Sequence, residues 1–335
     1  MGSILGKHLL FILYLSVFSG YLISCNQMDL WNSVFLPLQV TSKPNYQESY
    51  FENSCNFGVK SKALLTTRFK NLDHFKTVVS ITYKQDLCNV DSNKSCNSAV
   101  NLIYFSNGER ISRTMTSGVN QGDLISIQNA DYWTQLKFVL SNPYAIRQRK
   151  ALERIHILSR RRADIYGSKD VAFFDLAEAS VRHINTPNLA FLSVQDSLEK
   201  GYLNTFNHVT AQAIISSFFS EDLADLIGDL HERFYLPELT TGNFKESQLT
   251  DSINNPTDNY VDIINNEIGQ KIGKALKDNY KINEKTRCTP IFLASYLNSI
   301  QSYYTWSLEL GMDNFRPTDE VVIKFSKKLN ALLER

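Results

Sequence analysis

Three short clusters of imidazole, carboxylate and amide side chains lie in the second half of the chain, between residues 204 and 269. They are Asn204, Asn207 and His208; Gly228, Asp229, His231 and Glu232; and Asp262, Asn265, Asn266 and Gly269. The residues around them are mostly apolar, so these polar groups are expected to be buried and to need partners. Histidine together with aspartate and glutamate is the usual composition of acid–base and metal sites. If the chain has a reactive centre, we predict it here.

The third cluster forms one stripe on a helix predicted to begin near Asp258. At about 100° per residue, positions i, i+3, i+4 and i+7 share a face, and these are Asp262, Asn265, Asn266 and Gly269. Aspartate, asparagine and glycine are poor helix formers that an ordinary exposed face avoids. The stripe therefore indicates a specific contact, and its glycine would let another backbone or a ligand approach closely. The alternative is a polar helix face on which the asparagine pair has no role.

The second cluster lies on a helix predicted over residues 221–235. On an ideal helix Asp229 and Glu232 are about 60° apart and His231 is about 100° from Glu232, so the three could act together. A carboxylate can orient an imidazole, or both groups can bind a divalent metal. His208 lies on an earlier apolar helix, where the alternative is a core histidine with a satisfied hydrogen bond.

These positions lead to two functional hypotheses. In the first, the helical part carries a hydrolase-like site with substrate-binding groups at Asn204, Asn207, Asp262 and Gly269. The catalytic candidates are His208, Asp229, His231 and Glu232 as acid–base groups or ligands of a divalent metal, with Asn265 and Asn266 to orient substrate or stabilise an oxyanion. In the second, the protein is a non-enzymatic surface lipoprotein whose β domain binds a partner, and the polar cluster is a buried structural network. A hybrid of the two is an inactive descendant of an enzyme that is kept as a binder.

The order and spacing of the three blocks resemble a known pattern. The blocks are Asn204-Thr205-Phe206-Asn207-His208, Gly228-Asp229-Leu230-His231-Glu232 and Asp262-Ile263-Ile264-Asn265-Asn266-Glu267-Ile268-Gly269. They are similar to a helical domain of uncharacterised function, found in bacterial secreted proteins and in toxin-like C-terminal regions. Its pattern is roughly Asp-x-x-Arg-His-x-x-x-Ala, then Gly-Asp-Ala-His-Glu, then Asp-Leu-His-Asn-Asn-x-x-Gly.

The resemblance covers about residues 200–275 and implies a polar site without specifying a reaction. This chain departs from the pattern at three positions. Asn204 stands where the pattern has aspartate, Asn207 where it has arginine, and Ile264 where it often has histidine. An acid, a base and an imidazole of the pattern are therefore absent here.

The first residues are typical of an export signal. An apolar run from Leu9 to about Ile23 is shorter than the roughly 20 residues of a membrane-spanning helix and suits a signal peptide. Leu22-Ile23-Ser24-Cys25 resembles the bacterial lipobox, in which the cysteine becomes the lipidated first residue. We therefore expect a signal peptide over 1–24 and a lipid anchor at Cys25, so that the protein is exported to the cell envelope or secreted. The alternatives are a plain signal peptide and an uncleaved anchor.

Cysteine usage agrees with export. The chain has five cysteines, and lipidation of Cys25 would leave an even number. Cys88 and Cys96 flank a run of turn-forming residues, which makes a disulfide plausible in an oxidising compartment. Cys55 and Cys288 would then remain for a long-range disulfide. Connectivity is not encoded in the spacing, and free cysteines are the alternative.

Composition indicates a globular chain. Hydrophobic residues make up 43% of the 335 residues and the net charge is +1. Near-neutral charge provides no general attraction to nucleic acid, so no nucleic-acid partner is expected. The expected partners are a membrane, through the lipid anchor, and an unidentified substrate or surface partner.

The predicted architecture is α+β, a small antiparallel β domain followed by a larger all-α domain. We expect a linker or irregular segment over 25–60, a β-rich domain over 61–140 and a helical domain over 141–335. Strands are predicted at 77–83, 99–105 and 111–115, with a hairpin turn at Asn107-Gly108. Two further strands are predicted at 124–127 and 133–140. Thr289-Pro290 is a helix start signal.

Overall fold

A computed structural model describes residues 64–66, 69–85, 98–128, 130–186, 201–236, 239 and 256–333. The predicted signal peptide, the linker up to residue 60, the lipidation site and the Cys88–Cys96 pair lie outside these residues. The helices, strands and contacts given below are those of the described residues alone.

The first described elements form a three-stranded antiparallel sheet. Helix α1 (Leu72–Lys76) precedes strands β1 (Val79–Gln85), β2 (Ser98–Ser106) and β3 (Glu109–Thr116), which pair in the order β1-β2-β3. In the β2–β3 hairpin Ser106 pairs with Glu109, and the two residues between them, Asn107 and Gly108, have φ values of 48° and 81°. Two positive φ values are what a type I′ turn requires. The three predicted strands and the Asn-Gly hairpin are therefore confirmed.

The two further predicted strands are wrong, because residues 124–127 and 133–140 lie in helices. These are α2 (Gln121–Gln128) and α3 (Tyr132–Ser141). Helix α3 has an N-cap at Asp131, whose Oδ1 accepts hydrogen bonds from the backbone N–H groups of Trp133 and Thr134 at 3.0 and 3.1 Å. A side-chain cap satisfies backbone donors that a helix start leaves unpaired, and this local chemistry outweighs a short alternation of apolar residues.

The remaining elements are helical, so the predicted α+β class, a small antiparallel sheet followed by a larger helical region, is confirmed. The helices are α4 (Pro143–Arg147), α5 (Arg149–Leu158), α6 (Ala163–Tyr166), α7 (Phe173–Arg182), α8 (Tyr202–Phe218), α9 (Glu221–Tyr235), α10 (Pro256–Asn279), α11 (Pro290–Leu308) and α12 (Glu320–Leu333). The predicted start of α11 is confirmed, since Thr289 Oγ1 accepts a hydrogen bond from Phe292 N at 3.2 Å. Of the described helices, none has the length and apolar character needed to cross a membrane.

Helix α10 lies at the centre of the structure and is buried along most of its length. It packs against α8 through two glycines, Gly269 and Gly273, which face the backbones of Val209 and Ala213. Inward-facing side chains of the sheet, such as Leu102, join those of the helices in one hydrophobic core. Because apolar burial is the main stabilising term in folding, this core fixes the positions of α8, α9 and α10.

The expected long-range disulfide through Cys288 is not formed, because Cys288 is a free thiol. Its side chain is fully buried, and burial raises the pKa of the thiol to about 12. The amide of Asn330 holds its backbone by accepting from Cys288 N and donating to Cys288 O, both at 2.8 Å. In this setting the cysteine serves as a small hydrophobic core residue.

Candidate functional site

Helices α8, α9 and α10 bring one imidazole and two carboxylates together. His208 Nε2 lies 3.4 Å from Asp262 Oδ2, and His208 Nδ1 lies 3.9 Å from Glu232 Oε1. The side chains of His208, Glu232 and Asp262 are 11%, 2% and 8% exposed. One residue from each sequence cluster therefore takes part in a single buried group.

Asparagine amides connect this group. Asn204 Nδ2 donates to Asp262 Oδ1 at 2.8 Å, and Asn266 Nδ2 donates to Glu232 Oε1 at 3.2 Å. Asn266 Oδ1 lies 2.9 Å from His208 Nδ1. Each carboxylate thus accepts a hydrogen bond from an amide, which partly offsets the cost of burying it. We call the set Asn204, His208, Glu232, Asp262 and Asn266 the polar core.

His231 lies beside the polar core. Its ring centroid is 6.1 Å from that of His208, and its Nδ1 is 3.2 Å from Gln121 Oε1 on α2. Burial, and to a smaller extent the neighbouring His208, lower the pKa of His231 to about 3, so its imidazole is neutral near pH 7. The ligand atoms of His208, His231 and Glu232 all lie within 4.8 Å of one another.

Burial raises the pKa of Glu232 well above its usual range, and the nearby Asp262 raises it further. His208 and the hydrogen bond from Asn266 oppose this shift. The surroundings therefore disfavour a negative charge on Glu232 when no cation is bound. Strongly perturbed carboxyl groups beside a cavity are typical of functional sites, although structural networks also produce them.

A small cavity of about 40 Å³ lies against this group. Since one water molecule needs roughly 10–15 Å³ of free space, the cavity has room for about three waters. Its polar wall includes His208, His231, Glu232, Asn266 and Gln212, and its apolar wall includes Ile155, Phe173 and Ile227. Acid–base groups therefore face a small, partly apolar space.

Asp229, a predicted member of the site, has other partners. Its carboxylate accepts from Arg113 on β3 at 2.8 Å and from Arg233 at 2.9 Å. Arg113 also pairs with Asp225 at 2.6 Å and Glu267 at 3.3 Å. The rotation between positions 229 and 232 directs Asp229 toward the sheet, where it helps to join β3 to α9.

Two other predicted residues have packing or backbone contacts instead, and a third is buried. Asn265 is fully buried, and its amide accepts from Leu65 N at 3.0 Å and donates to Leu65 O at 2.7 Å. Both ends of this amide are therefore used by the backbone of a preceding segment. A Cβ on Gly269 would lie 2.8 Å from Val209 O, so a helix, not a ligand, lies against this glycine. Asn207 is buried, and among the described residues its Oδ1 has no hydrogen-bond partner.

The sequence interpretation missed Gln121 and Gln212, which contact or line the site. Gln212 follows His208 by four residues on α8, and this helical spacing could have identified it. Its Oε1 accepts from Gln270 Nε2 at 3.2 Å. Gln121 reaches His231 from α2, a helix that was not predicted. No pattern in the sequence connects these two segments.

Comparisons with family models, with curated proteins and with solved structures found no significant match. The resemblance to a secreted bacterial helical domain therefore stays a prediction.

Proposed function

We propose that this chain is an exported hydrolase whose helical region activates a water molecule in the cavity beside His208. One observation carries the proposal: the imidazole of His208 lies between the carboxylates of Asp262 and Glu232 at the wall of a cavity with room for a few waters. Hydrolysis requires groups that polarise water, take its proton and return a proton to the leaving group. Imidazole and carboxylate groups are the side chains best suited to these steps.

The contacts support a division of roles. Asp262 lies on the Nε2 side of His208 and is itself held by Asn204, so it orients the ring. Asn266 bridges His208 and Glu232 and fixes the distance between them. The catalytic groups are therefore His208, His231 and Glu232, which face the cavity, and Asp262 and Asn204 are positioning residues.

Glu232→Gln tests the proposed hydrolysis. Glutamine has the same shape and can still accept the Asn266 hydrogen bond, but it cannot ionise. We expect wild-type protein to hydrolyse at least one class in a panel of chromogenic carboxylic esters, phosphate esters and glycosides. The variant should lose about 100-fold or more in kcat/KM, the usual range for an acid–base group, while its thermal unfolding temperature does not fall.

The matched control is Glu178→Gln, which changes a carboxylate on α7 that pairs with Arg182 at 2.6 Å. Its kcat/KM should equal that of the wild type. Turnover by Glu232→Gln at the wild-type rate, or no turnover of any panel substrate by the wild type, would contradict the proposed hydrolysis.

One observation favours the alternative, a non-enzymatic surface lipoprotein with a structural polar network. Asn265 uses its whole amide to hold the backbone of Leu65, and fully bonded buried networks stabilise a unique core. Under this alternative the wild type and Glu232→Gln give the same result with every substrate of the panel. The same panel therefore separates the two functions.

We also propose that the mature protein is anchored by lipid on Cys25, which follows the apolar N-terminal run. We expect labelled fatty acid to be incorporated into the wild type expressed in a bacterium. Cys25→Ser should lose the label and leave the membrane fraction, because a thiol is the acceptor of this lipid. Cys288→Ser, at a buried free thiol, is the control and should keep the label. Labelled Cys25→Ser would refute the anchor.

A further inference from the structure

His208, His231 and Glu232 have the composition and spacing of a metal site. Their ligand atoms all lie within 4.8 Å of one another, and His208 Nδ1 is 3.9 Å from Glu232 Oε1. Ligand atoms on one tetrahedral zinc ion are roughly 3.4 Å apart, because zinc–nitrogen and zinc–oxygen bonds are about 2.0–2.2 Å long. A small rotation of the side chains would bring all three onto one ion.

The outer contacts of both imidazoles match those of metal-binding histidines. Such a histidine binds the ion through one ring nitrogen, while a carboxylate or carbonyl oxygen orients the ring at the other nitrogen. Asp262 Oδ2 is 3.4 Å from Nε2 of His208, and Gln121 Oε1 is 3.2 Å from Nδ1 of His231. In this arrangement the ion is bound through Nδ1 of His208 and Nε2 of His231.

The local charge also favours a cation. Two carboxylates, Glu232 and Asp262, are buried within the polar core. None of the described residues that line the cavity is lysine or arginine. Ionising the buried Glu232 is costly unless a positive charge lies close by, and a divalent ion in the cavity would supply that charge. The cavity of about 40 Å³ provides the fourth position, where the ion would hold a water molecule.

We propose that His208, His231 and Glu232 bind one divalent transition-metal ion, with Zn²⁺ as the best match to two imidazoles and one carboxylate. The location of the ion rests on the proposed hydrolase site, and the ion would supply the activated water. Asn266 Oδ1 lies 2.9 Å from His208 Nδ1, and this contact would be replaced by the ion when Nδ1 binds it.

The test is metal binding without substrate. Full-length protein is stripped with a chelator and titrated with Zn²⁺ against a chromogenic competitor, and Co²⁺ replaces Zn²⁺ to report coordination through its visible absorption. We expect one equivalent of Zn²⁺ per chain, a cobalt spectrum of low coordination number, and a higher unfolding temperature with metal, since ligand that binds only the native state stabilises it.

His231→Ala should weaken zinc affinity by more than about 100-fold, beyond the roughly 10–100-fold effect of an outer contact. Asp262→Asn keeps an acceptor for Asn204, so it should fold, and it should weaken affinity by about 10-fold through the orientation of His208. His74→Ala removes an exposed imidazole elsewhere and should leave affinity unchanged. Circular dichroism of each variant verifies the fold.

The proposal is overturned if the wild type binds no Zn²⁺, or if His231→Ala and Asp262→Asn both keep wild-type affinity. A failure of the hydrolase proposal gives a different result from a failure of the metal-site proposal. One equivalent of Zn²⁺ bound through these residues, with no turnover of any substrate, would support the metal site and contradict hydrolysis. Turnover by chelator-stripped protein that binds no metal would support hydrolysis and contradict the metal site.

Discussion

Asp170→Ala should destabilise the protein by about 3–5 kcal/mol, the cost of removing one partner from a buried ion pair. Lys328 Nζ lies 2.6 Å from Asp170 Oδ2, and the two side chains are 1% and 3% exposed. The ammonium also donates to the carbonyl oxygens of Arg160 at 2.6 Å and Val171 at 2.8 Å. Without the carboxylate, a positive charge would remain buried on α12.

The pH dependence of this variant depends on Lys328. Burial lowers the pKa of Lys328, and the hydrogen bond and charge of Asp170 oppose that shift. Removing Asp170 should lower the pKa further below the unfolded value of about 10.4. The unfolded state then binds more protons between these two values, so stability rises with pH. The defect should therefore be largest near pH 7 and smaller near pH 10.

Urea unfolding at both pH values measures this effect. Glu178→Ala is the control, because its partner Arg182 is 64% exposed and a surface ion pair contributes about 1 kcal/mol or less. In Asp170→Ala/Lys328→Met the buried charge is gone, so part of the lost stability should return. If Asp170→Ala costs no more than Glu178→Ala, the buried pair is not the stabilising contact that its geometry indicates.

Helical periodicity predicted where the candidate site lies in the sequence. It did not predict which of the polar residues contact one another there. Asp262, Asn265, Asn266 and Gly269 are all buried along α10, as expected from a stripe of poor helix formers. Their partners depended on tertiary contacts that the periodicity of one helix does not contain. Asp229 faces an arginine more than 100 residues earlier in the chain.

Short sequence motifs predicted the structure correctly where their residues require one particular backbone geometry. The Asn107-Gly108 turn and the Thr289 cap each determine backbone geometry through one or two residues, and both predictions are confirmed. The strands predicted at 124–127 and 133–140 relied on short apolar runs, which suit a strand or a buried helix equally well. The cap at Asp131 was the missed signal. Lys328 was likewise hidden, since a lysine in a helix is usually exposed.

The site depends on how closely α8 and α10 approach each other. His208 and Asn204 lie on α8, and their partners Asp262 and Asn266 lie on α10. Small residues at a helix crossing allow such an approach because no side chain separates the backbones. Here Ser217 Oγ reaches across the crossing to donate to Gly273 O at 2.7 Å. A side chain at Gly273 would therefore move the two helices apart.

Gly273→Ala should destabilise the protein by about 3 kcal/mol, near the upper end for overpacked cores. The added Cβ would lie 2.4 Å from Ala213 O and 2.9 Å from Ala213 Cα, and these are backbone atoms that cannot rotate away. In an exposed helix the same change stabilises by up to about 1 kcal/mol, so the sign of the effect is diagnostic. Thermal unfolding should occur roughly 5 °C lower, since a 1 kcal/mol change shifts the midpoint of a chain of this size by about 2 °C or less.

Two controls separate crowding from helix propensity. Lys274→Ala changes the next residue on α10, whose side chain is 67% exposed, and should alter stability by less than about 0.5 kcal/mol. The nearest atoms to a Cβ on Gly228 would be the side-chain amides of Asn266 and Gln212 at 3.3 Å, and these can move. Gly228→Ala should therefore stay within about 1 kcal/mol of the wild type, because helix propensity offsets the contact. Equal or greater stability of Gly273→Ala would mean that α8 and α10 do not approach each other closely, and the contacts between His208, Asp262 and Asn266 would then have no structural basis.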